Sequence, residues 1–142
     1  MNMHRHIVFV GCVIAATSWA TSPALAGHVW WKARDGVATG SVTDASWADL
    51  QSAITSAQGG SAATGMVKIS GDITRTNAAS GQLAVTAGGV VTISGGWTWA
   101  GGSEPAVQSG RSTLQANCAA LGNNIRVINI TASDVTLRSL DI

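Results

Sequence analysis

Six short runs of β-branched and aliphatic residues, punctuated by Gly, Ser, Asn and Ala, fill the chain after Gly65 and constrain its fold more than any other feature. They are Met66–Ser70, Leu83–Thr86, Val90–Ser94, Ser112–Gln115, Val127–Thr131 and Val135–Leu137. Period-two alternation bounded by turn residues is the signature of strands, and strands this short predict an all-β architecture. The runs also recur at nearly constant spacing. Val67-Lys68-Ile69 returns as Val91-Thr92-Ile93 after 24 residues, Thr113 follows 22 further on, and Val135-Thr136-Leu137 another 22 beyond that. Leu83–Ala87 likewise matches Ile128–Ala132, each just ahead of a Val-Thr-aliphatic run.

A repeat in the low twenties predicts a parallel β-helix, a solenoid of about 22–24 residues per rung. Equivalent strands would stack ~4.8 Å apart. Val67, Ile69, Val91, Ile93, Val135 and Leu137 would form inward columns, with Lys68, Thr92 and Thr136 pointing out. The competing arrangement, an antiparallel sandwich, calls for Asn-Gly or Asp-Gly turns. The one Asp-Gly, Asp35-Gly36, comes before these runs begin.

Ahead of the strands lies a single predicted helix. Ser46-Trp47-Ala48-Asp49 has the form of a capping box, in which the serine oxygen accepts from the backbone three residues on and Asp49 reaches back. Trp47, Leu50, Ala53 and Ile54 follow on one helical face, and Gly59-Gly60 ends the run. The organisation expected is a leader over 1–26, a lead-in over 27–43, a cap helix over 44–58 and strands over 59–142.

The leader is read from three parts in order. Arg5 supplies positive charge, Ile7–Ala16 an apolar run, and Ala24-Leu25-Ala26 a small-residue cleavage site, so the cut falls between Ala26 and Gly27. The apolar run is shorter than the ~20 residues needed to span a bilayer. Export to the outside or the cell surface is the expectation, with no transmembrane segment after cleavage. Seven basic and seven acidic side chains then remain, thinly spread, which excludes nucleic acid as a default partner. Cys118 is left without a second cysteine, so no internal disulfide and no Cys-x-x-Cys site is available.

Taken in order, Ser46-Trp47 with Leu50 and Ala53-Ile54, Val67–Thr74, Val91–Trp97 with its Gly95-Gly96-Trp97 ending, Ser112-Thr113-Leu114 and the closing Val-Thr-Leu run resemble the N-terminal portion of secreted right-handed parallel β-helix repeat proteins, including the polymorphic outer-membrane and adhesin-like group. The resemblance implies a capping helix at the open end of the coil. It also implies that Leu140-Asp141-Ile142 falls within a rung, so that the chain is expected to be truncated or to associate end to end through that uncapped rung.

The residues offer little catalytic chemistry. His28 is the one histidine after the cut and is expected to be mobile, a poor member of a Ser-His-Asp triad. No serine lies in a Gly-x-Ser-x-Gly elbow, and Cys118 reads as a buried structural thiol. Polysaccharide lyases and hydrolases on β-helix scaffolds cluster carboxylates for Ca²⁺ or acid–base work; here Asp72, Asp134 and Asp141 are single and scattered. Arg138, near Asp134 and Asp141, is expected to form a solvated surface pair.

Gly88-Gly89, Gly95-Gly96 and Gly101-Gly102 read as corners rather than phosphate loops, since none leads into Lys-Ser/Thr and a helix. Asn129-Ile130-Thr131 matches a glycosylation triplet within a predicted strand. Trp97 and Trp99 lie two apart, as a sugar platform would; packing is the favoured role, because five tryptophans supply all aromatic burial after the cut. No metal or cofactor is implied. The function expected is an exported, non-catalytic structural or adhesive module contacting glycans or surface proteins. The alternative is the opening segment of a β-helix polysaccharide lyase or glycoside hydrolase whose active site lies beyond residue 142.

Overall fold

The structure, a computed structural model, describes residues 27–61, 63–76, 80–86, 90–100, 102–116, 127–132 and 134–142. The predicted leader, Cys118 and the Gly88-Gly89 pair lie outside the described residues.

Asp35-Gly36 turns the chain between β1 (His28–Lys32) and β2 (Thr39–Val42). Asp35 Oδ1 accepts from the backbone N–H of Val37 at 2.8 Å and of Ala38 at 3.0 Å. Gly36 holds φ at 75°, the left-handed region that glycine enters without steric cost. The two strands pair antiparallel, so pairing begins well before Gly65 and the Asp-Gly signal marks a real hairpin.

Helix α1 (Trp47–Ala57) follows with both halves of its capping box formed. Asp49 N–H donates to Ser46 Oγ, and Ser46 N–H donates to Asp49 Oδ2 at 2.8 Å. Trp47, Leu50, Ala53, Ile54 and Ala57 are buried, and each large aliphatic among them contributes about 1.5–3 kcal/mol. The helix packs on β1, on β3 (Gly65–Ser70) and on β5 (Leu83–Val85). The Gln51 amide both donates to the Ala84 carbonyl at 3.0 Å and accepts from the Ala84 N–H at 2.7 Å. One side chain thus satisfies strand-edge backbone that would otherwise be a template for pairing.

The remaining strands are β4 (Ile73–Arg75), β6 (Val91–Ser94), β7 (Trp97–Thr98), β8 (Val107–Gln108), β9 (Ser112–Ala116), β10 (Ile128–Ile130), β11 (Val135–Arg138) and β12 (Leu140–Asp141). They form four sheets with the orders β11-β6-β3-β1-β2, β10-β5, β12-β9-β4 and β7-β8. The core joins the inner face of the five-stranded sheet to α1, β4, β5 and β9, with Val29, Val67, Ile69, Ile73, Leu83, Val91, Ile93 and Leu114 all but fully buried.

This is not the regular parallel β-helix that the spacing predicts. The described strands are divided among several small sheets of mixed direction, with antiparallel pairing in β1-β2, β1-β3 and β7-β8. The equal spacing is partly coincidence. Ser112-Thr113-Leu114 does not join the Val91 and Val135 runs at all, because β9 pairs with β4 and β12 in a different sheet. Val67 sits beside Ile93 rather than Val91, since β3 is offset by two residues. A two-residue slip preserves which face each side chain occupies, so spacing alone could not reveal it.

Val91 does lie parallel and in register with Val135, and Leu83 with Ile128. Val135 and Leu137, beside Val91 and Ile93, are half-buried and pack against the same core. No helix among the described residues is long and apolar enough to cross a membrane.

Candidate functional site

Strand alternation gives the five-stranded sheet a second, outward face. Across its strands, partnered residues form a row Ser41–Trp30–Lys68–Ser94–Arg138, flanked by the row segments Met66–Thr92–Thr136 and His28–Ser70. Side chains of partnered residues project to the same side, so these rows form one surface.

The β7-β8 hairpin folds onto that surface. It leaves the sheet at Gly95-Gly96, and Gly96 holds φ at 73° with its α-carbon against the Gly110 backbone, where a side chain has no room. Buried Ser112 secures the junction. Its hydroxyl donates to the Ile69 carbonyl at 3.1 Å and accepts from the Gly96 N–H at 3.0 Å. Gln108 adds a bond from its amide nitrogen to the Gly95 carbonyl at 2.7 Å.

Lys68 ties the hairpin's connection to the sheet. Its ammonium donates to Glu104 Oε1 at 2.7 Å and to the Pro105 carbonyl at 3.0 Å. It sits 4.0 Å from the Trp97 ring centroid and 5.1 Å from that of Trp30. Only 11 % of the Lys68 side chain is exposed, so these cation–π contacts act in a partly desolvated setting where they count for more than at an open surface. The Trp97 indole N–H donates to Ser94 Oγ at 2.9 Å. Lys68 does face outward as its alternation requires, yet it is covered by tryptophan rather than water.

Trp97 divides two cavities. A cleft of about 430 Å³ is lined by His28, Trp99, Ser70, Ser109 and Arg111 together with Trp97. A smaller cavity of about 260 Å³ is lined by Met66, Lys68, Thr92, Gln108 and Arg138, again with Trp97. In the cleft the His28 imidazole stacks on Trp99 with centroids 3.3 Å apart and planes 19° from parallel. Burial lowers the His28 pKa, and the charge of Asp44 opposes that in part. His28 Nε2 is buried and has no hydrogen-bond partner among the described residues. Far from being a mobile terminal residue, His28 is held in β1 opposite Ser70.

The acidic residues are mostly occupied with local structure. Asp72 accepts from the Thr113 N–H at 2.7 Å, Asp35 and Asp49 cap backbone, Glu104 holds Lys68, and Asp141 pairs with Arg111 at 2.6 Å. Among the described residues no three His, Cys, Asp or Glu side chains gather into a metal-binding group. The expected partnership of Arg138 with Asp134 or Asp141 does not form; Asp141 turns to Arg111, and Arg138 borders the smaller cavity instead. Asn129 of the glycosylation triplet lies half-buried in β10 beside Ala84.

Sequence reasoning singled out Trp97 and Trp99 and missed His28, Lys68 and Gln108 as their neighbours. Lys68 carried a usable signal, a cation at an alternating strand position in a chain rich in tryptophan. Gln108 carried none.

No protein-family model, curated protein or solved structure matches the chain. The likeness to β-helix repeat proteins therefore has no support from relatives.

Proposed function

We propose that this protein is an exported, non-catalytic binding module that holds a glycan in the cleft between Trp97, Trp99 and Arg111. The observation that carries this reading is the composition of the cleft wall. Two half-buried indoles stand beside Ser70, Ser109, Thr98 and glycine backbone, with the one cation already neutralised by Asp141. Apolar ring faces next to small hydroxyl donors and acceptors suit a sugar, whose C–H face seeks an aromatic surface while its hydroxyls seek hydrogen bonds. His28 stiffens Trp99 by stacking on it, which lowers the entropy lost when a ligand is held.

The occupation of Asp35, Asp49, Asp72, Glu104 and Asp141 in caps and ion pairs supports a binding role over acid–base chemistry, because none of them is left facing another carboxylate across a cleft. Export follows from the composition of residues 1–26.

The test is an array of neutral oligosaccharides probed with the wild-type chain and with Trp99→Ala. Binding that is lost in the variant, with its thermal stability retained, supports the cleft. Absence of wild-type binding to every oligosaccharide, or equal binding by the variant, overturns it.

A further inference from the structure

We propose that the smaller cavity is a separate carboxylate-binding site, and that its ligand is a small polyhydroxy acid such as a sugar acid. The inference goes beyond the cleft reading and holds whether or not a neutral glycan occupies the cleft.

Charge is the first argument. Among the described residues two cations, Lys68 and Arg138, line the cavity and no acidic side chain does. They occupy one row of the sheet, on either side of Ser94, so they stand two strands apart on the same face. Two strand spacings of about 4.8 Å leave room between them for one small anionic group. Glu104 neutralises Lys68, and the Arg138 guanidinium makes no ion pair or hydrogen bond with any described residue. A positive charge is therefore left over at a cavity wall, beside apolar surface that strengthens its field.

Donor geometry is the second argument. A guanidinium offers parallel N–H groups that match the two oxygens of a carboxylate. Lys68 cannot swing away to replace it, because two of its three donors are bound to Glu104 and Pro105 and the ammonium rests over Trp97. It contributes a fixed field while Arg138 makes the contact.

The rest of the wall defines the body of the ligand. Thr92 keeps its hydroxyl unengaged among the described residues. Gln108 uses its amide nitrogen on Gly95 and retains its carbonyl oxygen as an acceptor. Ser94 is unavailable, since its oxygen already accepts from Trp97 and donates to the Val67 carbonyl. Met66 and Trp97 supply an apolar side. One carboxylate, a few hydroxyls and a C–H face describe a polyhydroxy acid. A volume of about 260 Å³ lies just below the ~300–1,000 Å³ range of pockets for drug-sized ligands, which limits the occupant to one small molecule or one residue of a longer chain.

The experiment is an NMR titration of the full chain with D-glucuronate, D-glucose and inorganic phosphate, following the Trp97 indole N–H, with Arg138→Gln as the variant. Glucuronate and glucose differ only in carboxylate against hydroxymethyl, so their difference isolates the proposed contact. Glucuronate is expected to bind at least about tenfold more tightly than glucose, as one charge-assisted hydrogen-bonded pair provides, and Arg138→Gln should remove that difference.

The variant changes an exposed side chain with no described partner, so folding should be retained. Equal affinity for the two sugars, or a preference that survives in Arg138→Gln, overturns the site. Phosphate binding as tightly as glucuronate with the same Arg138 dependence overturns the carboxylate assignment. None of these failures touches the cleft reading, which is tested with neutral oligosaccharides at Trp99.

Discussion

The inner and outer faces of the five-stranded sheet are built from alternate residues of the same short strands, yet they do different work. Val67, Ile69, Val91 and Ile93 face inward and are fully buried against other aliphatics. Met66, Lys68, Thr92 and Ser94 face outward and meet a hairpin, the smaller cavity and the indoles of Trp30 and Trp97. The inner face is held by contact area, which is non-directional and tolerant of small changes in register. The outer face is held by directed bonds, Lys68 to Glu104 and Trp97 to Ser94, which fix one arrangement. Apolar burial thus lies chiefly on one side of the sheet, and both proposed binding sites lie on the other.

The largest expected effect breaks this division most directly. Ile93→Asp places an unpaired carboxylate among fully buried aliphatics, at a cost of several kcal/mol. That is a large part of the ~5–15 kcal/mol by which domains are stable. Thr92→Asp, one residue earlier, places the same charge on the outer face near Lys68 and Arg138 and should fold. Circular dichroism should show a cooperative melt for Thr92→Asp and none for Ile93→Asp. Equal melts for the two would show that the faces have been assigned wrongly.

Ser112→Ala comes next and tests the joint between the faces. The Ser112 hydroxyl serves the Ile69 carbonyl of the sheet and the Gly96 N–H at the foot of the hairpin. Removing it leaves one buried and one part-buried backbone group without this partner, about 1–3 kcal/mol. The variant should also expose the 97–108 hairpin to protease before the sheet itself melts. A melt shifted without that early cleavage would make the bond a contribution to the core alone.

These two sites also show what could be read from the sequence. The six strand runs after Gly65, the inward aliphatics and the capped helix are legible, because each follows from local alternation or from a capping box spanning four residues, whereas β1, β2 and β4 are not. The sheet plan was not. Equal spacing of Val91, Thr113 and Val135 suggested one repeated coil, whereas β9 belongs to another sheet and β3 is slipped by two residues. The hairpin strands were invisible as well; each is two residues long, too short for any alternation to show. Their two-residue spacing picks out Trp97 and Trp99, whereas proximity in the chain points Arg138 toward Asp134 and Asp141. Its place beside the smaller cavity depends on the parallel pairing of β11 with β6.

Ser46→Ala removes one half of the capping box and should cost about 1 kcal/mol, read as a lowered denaturant midpoint with unchanged slope. It bears on the inner face, which α1 covers, and should leave ligand binding at both cavities intact. Altered binding in this variant would mean that the outer face depends on the helix, and the two faces would no longer be separable.

The smallest expected effect concerns His28, which sharpens the comparison by adding a titrating group to the outer face. Burial disfavours the imidazolium, so the folded chain takes up the proton at a lower pH than the unfolded chain does. Where the native pKa lies below the ordinary value of about 6.5, the unfolded state binds more protons, and stability rises with pH through that window. The contribution is fully present above about pH 6.5 and is lost as pH falls toward and below the lowered native value. Melting temperature should therefore drop between pH 7.5 and pH 5.5, and His28→Phe, which keeps an aromatic ring against Trp99, should show a smaller drop. Solvent and Asp44 both moderate the effect, since the imidazole is only half-buried and the carboxylate favours its charged form. Identical pH dependence in the two proteins would show that protonation of His28 is not linked to folding.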